Sequence, residues 1–242
     1  MKNIIFISLT ILIFAVISCS ESEQDKQARV ELSSIIRQLN ANNQNLASSK
    51  KREESLNLLS MRGFYQDFIK GYESVRLEKS KVPITDKFLV LSNQLDTIID
   101  LSIAKISTRQ EILLKVSSIG SEGNSLTRNV ENYYDYRREA ITSSYSRDYY
   151  RDRATKTKIE IMQNKSTITI AIARFKSLKN QYDSLNEELM NASEELNKVS
   201  LNLDFTDSIS LNLIALDTTD FLNDFDNQMT SFEQSIYDLK VD

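Results

Sequence analysis

Four glycines and one proline in 242 residues leave this chain few places to turn. Tight turns draw on Gly for positive φ and on Pro for a preset φ, and sheet proteins need such turns often. A chain this poor in both is expected to fold into long helices. Its 40% hydrophobic and 26% charged content is that of a packed domain. The expected fold is all-α: an elongated antiparallel helical bundle with coiled-coil-like packing and about four long helices.

Apolar spacing divides the chain into regions. The first helical region is expected from about Gln27 to Lys79. Leu32, Leu39 and Leu46 recur there every seven residues, and Leu56, Leu59, Phe64, Phe68, Tyr72 and Val75 continue on a neighbouring face. Gly63 and Gly71 permit a bend. Asn42 or Asn43 is either a polar core residue that sets register or, more simply, a solvated position on a loosely packed helix. Pro83 ends this region and opens a second helix, with Thr85 or Asp86 as its cap. That helix carries Phe88, Leu91, Leu95, Ile98, Ile103, Ile106, Leu113 and Val116 at helical spacing, and Gly120–Asn124, with half of the glycines, is expected to be the turn that ends it.

Ser125–Asn202 has neither Gly nor Pro. Ile168, Phe175, Tyr182, Leu189, Leu196 and Leu203 fall every seven residues, with Ala171, Leu178, Leu185, Ala192 and Val199 between them, which predicts a coiled-coil-like seam. Thr167–Ile172 alternates with period two but is read as helix. An unbroken third helix of about 78 residues would reach ~115 Å at ~1.5 Å per residue, and its interruption is expected at Thr142–Ser144. A last helix, capped by Thr206, Asp207 or Ser208, carries Leu211, Ile214, Phe221, Phe225, Met229, Phe232, Ile236 and Leu239. It is expected to lie antiparallel to the 168–203 seam, and the second helix to pair with the first half of the third.

The N-terminus carries the most specific signal. Lys2 is followed by Ile4–Ile17, apolar except for Ser8 and Thr10, and then by Val16-Ile17-Ser18-Cys19. The apolar run is short of the roughly 20 residues of a spanning helix and suits a secretory signal core. A branched aliphatic at minus three and a small residue at minus one before Cys resemble the lipobox of bacterial lipoproteins. The resemblance implies lipid modification of Cys19 (diacylglyceryl on sulfur, with further acyl or palmitate chains) and removal of the leader. Cys19 is the only cysteine, so no intramolecular disulfide can form. The expected organisation is 1–18 signal peptide, 19–26 acylated N-terminus and short tether, and 27–242 a single elongated helical domain. The expected location is the cell envelope, lipid-anchored, the outer membrane ahead of the inner. The acidic run Glu21–Asp25 resembles a surface-export signal of some bacterial lipoproteins and reads equally well as a solvated tether.

Charge is polarised along the chain. Arg128–Lys179 holds 12 Lys and Arg against 6 Asp and Glu, whereas Asp183–Asp242 holds 2 against 14. The acidic end argues against nucleic acid as a partner. Within the basic half, Tyr133, Tyr134, Tyr136, Tyr145, Tyr149 and Tyr150 sit among Arg137, Arg138, Arg147, Arg151 and Arg153. Tyr and Arg supply much of the binding energy at interfaces. Tyr133, Tyr134, Arg137, Arg138, Tyr145, Tyr149, Tyr150 and Arg151 form the candidate interaction face, with Tyr134, Arg138, Tyr145 and Tyr149 near one stripe of a single helix. Core packing is the competing reading of the same residues.

Histidine is absent, which removes the commonest general base and metal ligand. No phosphate loop, zinc spacing or catalytic triad is present. Glu53-Glu54, Glu187-Glu188 and Glu194-Glu195 read as solvated faces, and Asp220, Asp224 and Asp226 offer at most a weak cation site. No cofactor, no metal and no catalytic residue is expected. The leading reading is a membrane-anchored, non-catalytic helical binding or scaffold module with a protein partner, and a homo-oligomer through coiled-coil packing is allowed. The alternatives are a helical pore-forming or effector-type protein and, last, an enzyme with carboxylate or Tyr chemistry.

Overall fold

A computed structural model describes residues 21–48, 58–203, 205 and 219–240. Among them the chain forms five α-helices and no strand: α1 (Glu23–Ser48), α2 (Leu58–Lys79), α3 (Leu89–Thr142), α4 (Arg147–Asn202) and α5 (Thr219–Asp238), with a 3-10 turn at Asp86–Phe88 before α3. The all-α bundle is as expected, and its helix boundaries differ in an instructive way.

Helices α3 and α4, of 54 and 56 residues, are each ~80 Å long at ~1.5 Å per residue. They form an antiparallel hairpin that is the spine of the molecule. Partners on α4 move backwards as α3 advances: Lys105 bonds Asn186, Glu111 faces Arg174 at 3.7 Å, and Asn129 bonds Asn164. The turn between them is Ser143–Ser146. The Ser143 backbone is extended and its N–H donates to the Glu139 carbonyl at 2.9 Å, while the Ser146 N–H donates to the Ser143 hydroxyl at 3.1 Å. A serine side chain thus performs the reversal without Gly or Pro.

The expected turn at Gly120–Asn124 does not exist, because those residues lie inside α3. Ile119 and Leu126 are buried on either side, and their packing outweighs a helix penalty of about 1 kcal/mol per glycine. Gly123 has a different use. A Cβ there would lie 2.9 Å from the Phe232 ring, so the missing side chain admits α5. The expected second helix and the start of the expected third are therefore one helix, and the break anticipated at Thr142–Ser144 is the real hairpin turn.

The first region is two antiparallel helices and not one. Gln38 bonds Glu78 at 2.6 Å, and the Tyr72 hydroxyl donates to Asn43 Oδ1. Gly63 and Gly71, expected to bend a rod, both lie within α2. Asn43 is buried, against the simpler expectation of a solvated position. Its bond to Tyr72 fits only one alignment of α1 on α2, so it sets register. Burial pushes the Tyr72 hydroxyl pKa well above its usual range, so it stays a donor. Helix α2 then returns along α3, with Lys79 on Asp96, Arg76 on Asp100, and Arg109 donating to the Tyr65 hydroxyl at 2.9 Å.

Two apolar clusters fill the bundle. One joins Leu32, Ile36 and Leu39 of α1, Tyr65 and Tyr72 of α2, Leu91, Leu95 and Ile98 of α3, and Leu189 and Leu196 of α4. The other joins Ile112, Ile119 and Leu126 of α3, Ile161, Ile168 and Phe175 of α4, and Leu222, Met229 and Ile236 of α5. The α4 seam is as expected: Ile168, Phe175, Tyr182, Leu189 and Leu196 are all buried. It faces α3, and α5 meets α4 antiparallel, with Lys165 donating to the Leu239 carbonyl and Lys176 to Glu233. The second-half seam of α4, not the segment before the turn, is what pairs with the expected second helix. Thr206, Asp207, Ser208, Leu211 and Ile214 lie outside the described residues.

Candidate binding surface at the hairpin tip

The tyrosine–arginine block does not lie on one helix. It straddles the α3–α4 turn, so Tyr134 and Arg138 are on α3, Tyr145 is in the turn and Tyr149 is on α4. The single-helix stripe is thereby replaced by a two-sided tip. Among the described residues, α3 and α4 extend past the contact of Lys165 with the end of α5, and each helix there buries one side against the other.

The block divides into packing and exposed residues. Tyr133 is buried and belongs to the second apolar cluster, so it packs the core rather than offering an exposed ring. Tyr150 is half-buried and stacks on Tyr136 across the hairpin, centroids 6.4 Å apart and planes 29° from parallel. Tyr149 meets Tyr150 edge to face at 5.3 Å. The Arg153 guanidinium lies over Tyr149 at 5.5 Å and Tyr136 at 5.9 Å, and its Nε donates to the Tyr149 hydroxyl at 3.1 Å. This lattice of rings and one guanidinium joins the two helices near their turn. Tyr134, Tyr145 and Tyr149 remain more than half exposed, Tyr145 at 99%. Arg137, Arg138 and Arg151 are exposed as well.

Beside the turn is a half-open cavity of about 470 Å³. Arg137, Arg151 and Lys158 line it together with Tyr133 and Thr155, and Ala140, Ile141 and Ala154 make its apolar wall. The Arg137 guanidinium lies 5.9 Å from the Tyr133 ring centroid, with NH1 3.4 Å from the hydroxyl. Arg151 faces Asp148 at 3.7 Å on open surface, a pair of little energetic weight. Among the described residues, three cations and no carboxylate line the cavity. Lys158, Thr155, Ala140, Ile141 and Ala154 were not singled out in the sequence. Lys158 stands seven residues from Arg151, a signal that acquires meaning only once the turn is placed at Ser143–Ser146.

The opposite end of the rod is closed by a second cluster that the sequence did not reveal. Within the expected short tether of residues 19–26, the described residues start at Glu21 and are helical from Glu23. The Ser22 hydroxyl accepts the Asp25 N–H at 3.0 Å, which caps α1. Arg29 and Lys87 both reach Glu21 Oε1 at 2.7 Å, and together they hold its carboxyl at about 2, far below the usual range. Arg29 also donates to the Leu203 carbonyl at 2.6 Å and lies over the rings of Phe88 and Phe205. Thr85, expected as a cap, makes no cap bond and donates instead to Asp25 at 2.6 Å. Cys19 lies outside the described residues, two positions before this clasp.

Among the described residues no cluster of three or more Cys, Asp or Glu is placed to hold a metal ion, and no helix is long and apolar enough to cross a membrane. Glu187, Glu188, Glu194, Glu195 and Asp224 are exposed, and Glu53 and Glu54 lie outside the described residues. Comparison with protein-family models, with curated proteins and with solved structures finds no match to this chain.

Proposed function

We propose that the protein is a lipid-anchored, non-catalytic binding module of a bacterial cell envelope, tethered at Cys19 and engaging a protein partner through the α3–α4 tip. One observation carries the reading: the two ends of the rod differ in kind. The clasp around Glu21, Arg29 and Phe88 sits at the start of α3, next in sequence to Cys19. The exposed tyrosines and arginines sit at the far end of the same 54-residue helix, ~80 Å away at ~1.5 Å per residue. Acyl chains on Cys19 would hold the clasped end at the bilayer and direct the tip outward. Large amphipathic rings and multi-donor cations at the tip suit protein recognition.

Both halves are open to test. Mass spectrometry of the purified protein should find Cys19 acylated at the N-terminus, and Cys19→Ser should move the protein from the membrane to the soluble fraction. A precursor that is never cut, or is cut elsewhere, refutes the anchor. A photo-crosslinking residue at position 145 should capture a discrete envelope protein in cells, and the combined Tyr134→Ala, Arg138→Ala and Tyr149→Ala variant should lose it. Undiminished capture by that variant refutes the tip as the interface.

A further inference from the structure

We propose that the cavity beside the α3–α4 turn seats an acidic segment of the partner protein, with a carboxylate between Arg137, Arg151 and Lys158. The proposal rests on the reading of the tip as a protein-binding surface and adds the chemistry of what it binds. The cations come from both arms of the hairpin: Arg137 from α3, Arg151 and Lys158 from α4. The turn therefore converges three positive groups on one hollow, and among the described residues no carboxylate lines it. Guanidinium groups match carboxylates in a bidentate fork, and a lysine adds a point charge.

The remaining lining favours a peptide over an isolated ion. Ala140, Ile141 and Ala154 give an apolar wall, against which the methylenes of a Glu or Asp side chain and its neighbours can lie. The Thr155 hydroxyl already donates to the Arg151 carbonyl at 2.9 Å, so it does not compete as a donor. A volume near 470 Å³ takes one or two side chains with their backbone. Exposed Tyr134, Tyr145 and Tyr149 nearby extend the contact area beyond the anion itself. The headgroups of a bilayer holding Cys19 are ~80 Å away along α3, out of reach of the cavity. Asp148, 3.7 Å from Arg151 and exposed, is loosely held and can be displaced by an incoming carboxylate.

The experiment uses the full chain in a non-ionic detergent and a fluorescein-labelled deca-glutamate, read by anisotropy at low salt. Saturable binding is expected, weakening steeply as salt is added. Arg137→Gln and Arg151→Gln should each reduce affinity about tenfold, the loss of one charge-assisted hydrogen bond, and the triple variant with Lys158→Gln should abolish binding. Lys70→Gln, an exposed charge on α2, should change nothing, and unchanged thermal midpoints will show that all variants fold. Absence of saturable binding, or an equal loss with Lys70→Gln, overturns the proposal. It is also overturned if the cavity variants instead lose binding of inorganic phosphate, of phosphatidylglycerol vesicles or of a second copy of the chain while deca-glutamate is unaffected. Crosslinking at position 145 separates this outcome from failure of the interface. Partner capture kept by Arg137→Gln/Arg151→Gln but lost with Tyr134→Ala/Tyr149→Ala would remove the acidic ligand and leave the tip as the binding surface.

Discussion

Gly120 and Gly123 stand three residues apart on α3 and should respond oppositely to the same substitution. An added Cβ at Gly120 meets nothing within 4 Å, whereas one at Gly123 comes 2.9 Å from the tip of the Phe232 ring. Alanine in a helix interior is favoured over glycine by about 1 kcal/mol, so Gly120→Ala should stabilise by that amount. In a protein of this size 1 kcal/mol is about 2–4 °C in Tm. Gly123→Ala gains the same propensity term but must push back a ring packed on the second apolar cluster, and overpacking of this kind costs about 1–3 kcal/mol. The two variants should therefore differ by about 1–3 kcal/mol in urea denaturation followed by far-ultraviolet circular dichroism. Removing the ring supplies the control. In a Phe232→Ala background, Gly123→Ala should stabilise as Gly120→Ala does. Equal stabilisation by both glycine variants in the parent protein would mean that α5 does not pack on α3 at this point. A penalty that persists without Phe232 would locate the conflict elsewhere.

Other substitutions probe the remaining contacts. Tyr72→Phe deletes the donor to buried Asn43 and should cost about 1–3 kcal/mol in denaturant unfolding, the penalty of an orphaned buried acceptor. Phe175→Ala empties a fully buried seam position and should cost about 3–5 kcal/mol. Glu21, with its folded pKa lowered from 4.5 to about 2 by Arg29 and Lys87, contributes stability that is present above its unfolded pKa and lost as pH falls through its folded one. Amide protection factors at the start of α1, taken relative to the intrinsic exchange rate at each pH, should therefore fall between about pH 4.5 and about pH 2, and Glu21→Gln should abolish that dependence. Tyr145→Ala, at a side chain 99% exposed, should leave Tm unchanged while it weakens partner capture.

Helix content and the α4 seam were legible because both are local: period seven and the lack of Gly and Pro need no knowledge of the rest of the chain. The hairpin turn was misplaced for a physical reason. Glycine marks turns when positive φ is needed, but it also marks close approach, and Gly123 serves Phe232, more than a hundred residues away in sequence. The true turn is made by Ser143, whose hydroxyl replaces a backbone partner, and a serine-rich stretch carries a much weaker turn signal. Everything at the tip depended on that placement. The residue types of the candidate face were visible, but bringing Arg137 together with Arg151 and Lys158 requires α3 to end at Thr142. The clasp was invisible for a similar reason, since Glu21 meets Lys87 across 66 positions.

Folding energetics separate what the tip needs for itself from what it offers. A two-helix arm gains its stability from the sides that face each other, and Tyr133, Ala154 and Ile161 are buried there. The Tyr136–Tyr150 stack and Arg153 add cross-hairpin contacts at the arm's end. Tyr145, by contrast, buries almost nothing in the isolated chain, and Tyr134 and Tyr149 keep more than half of their surface in water. At about 25 cal/mol per Å² of apolar surface removed from water, that area stabilises nothing until something covers it. The same holds for the cavity cations, whose attraction for a carboxylate strengthens as water is excluded. The two terms act together only when one partner both covers the rings and delivers an anion, which is why an acidic peptide, rather than a simple ion or an apolar surface, is the proposed occupant that would use the whole tip.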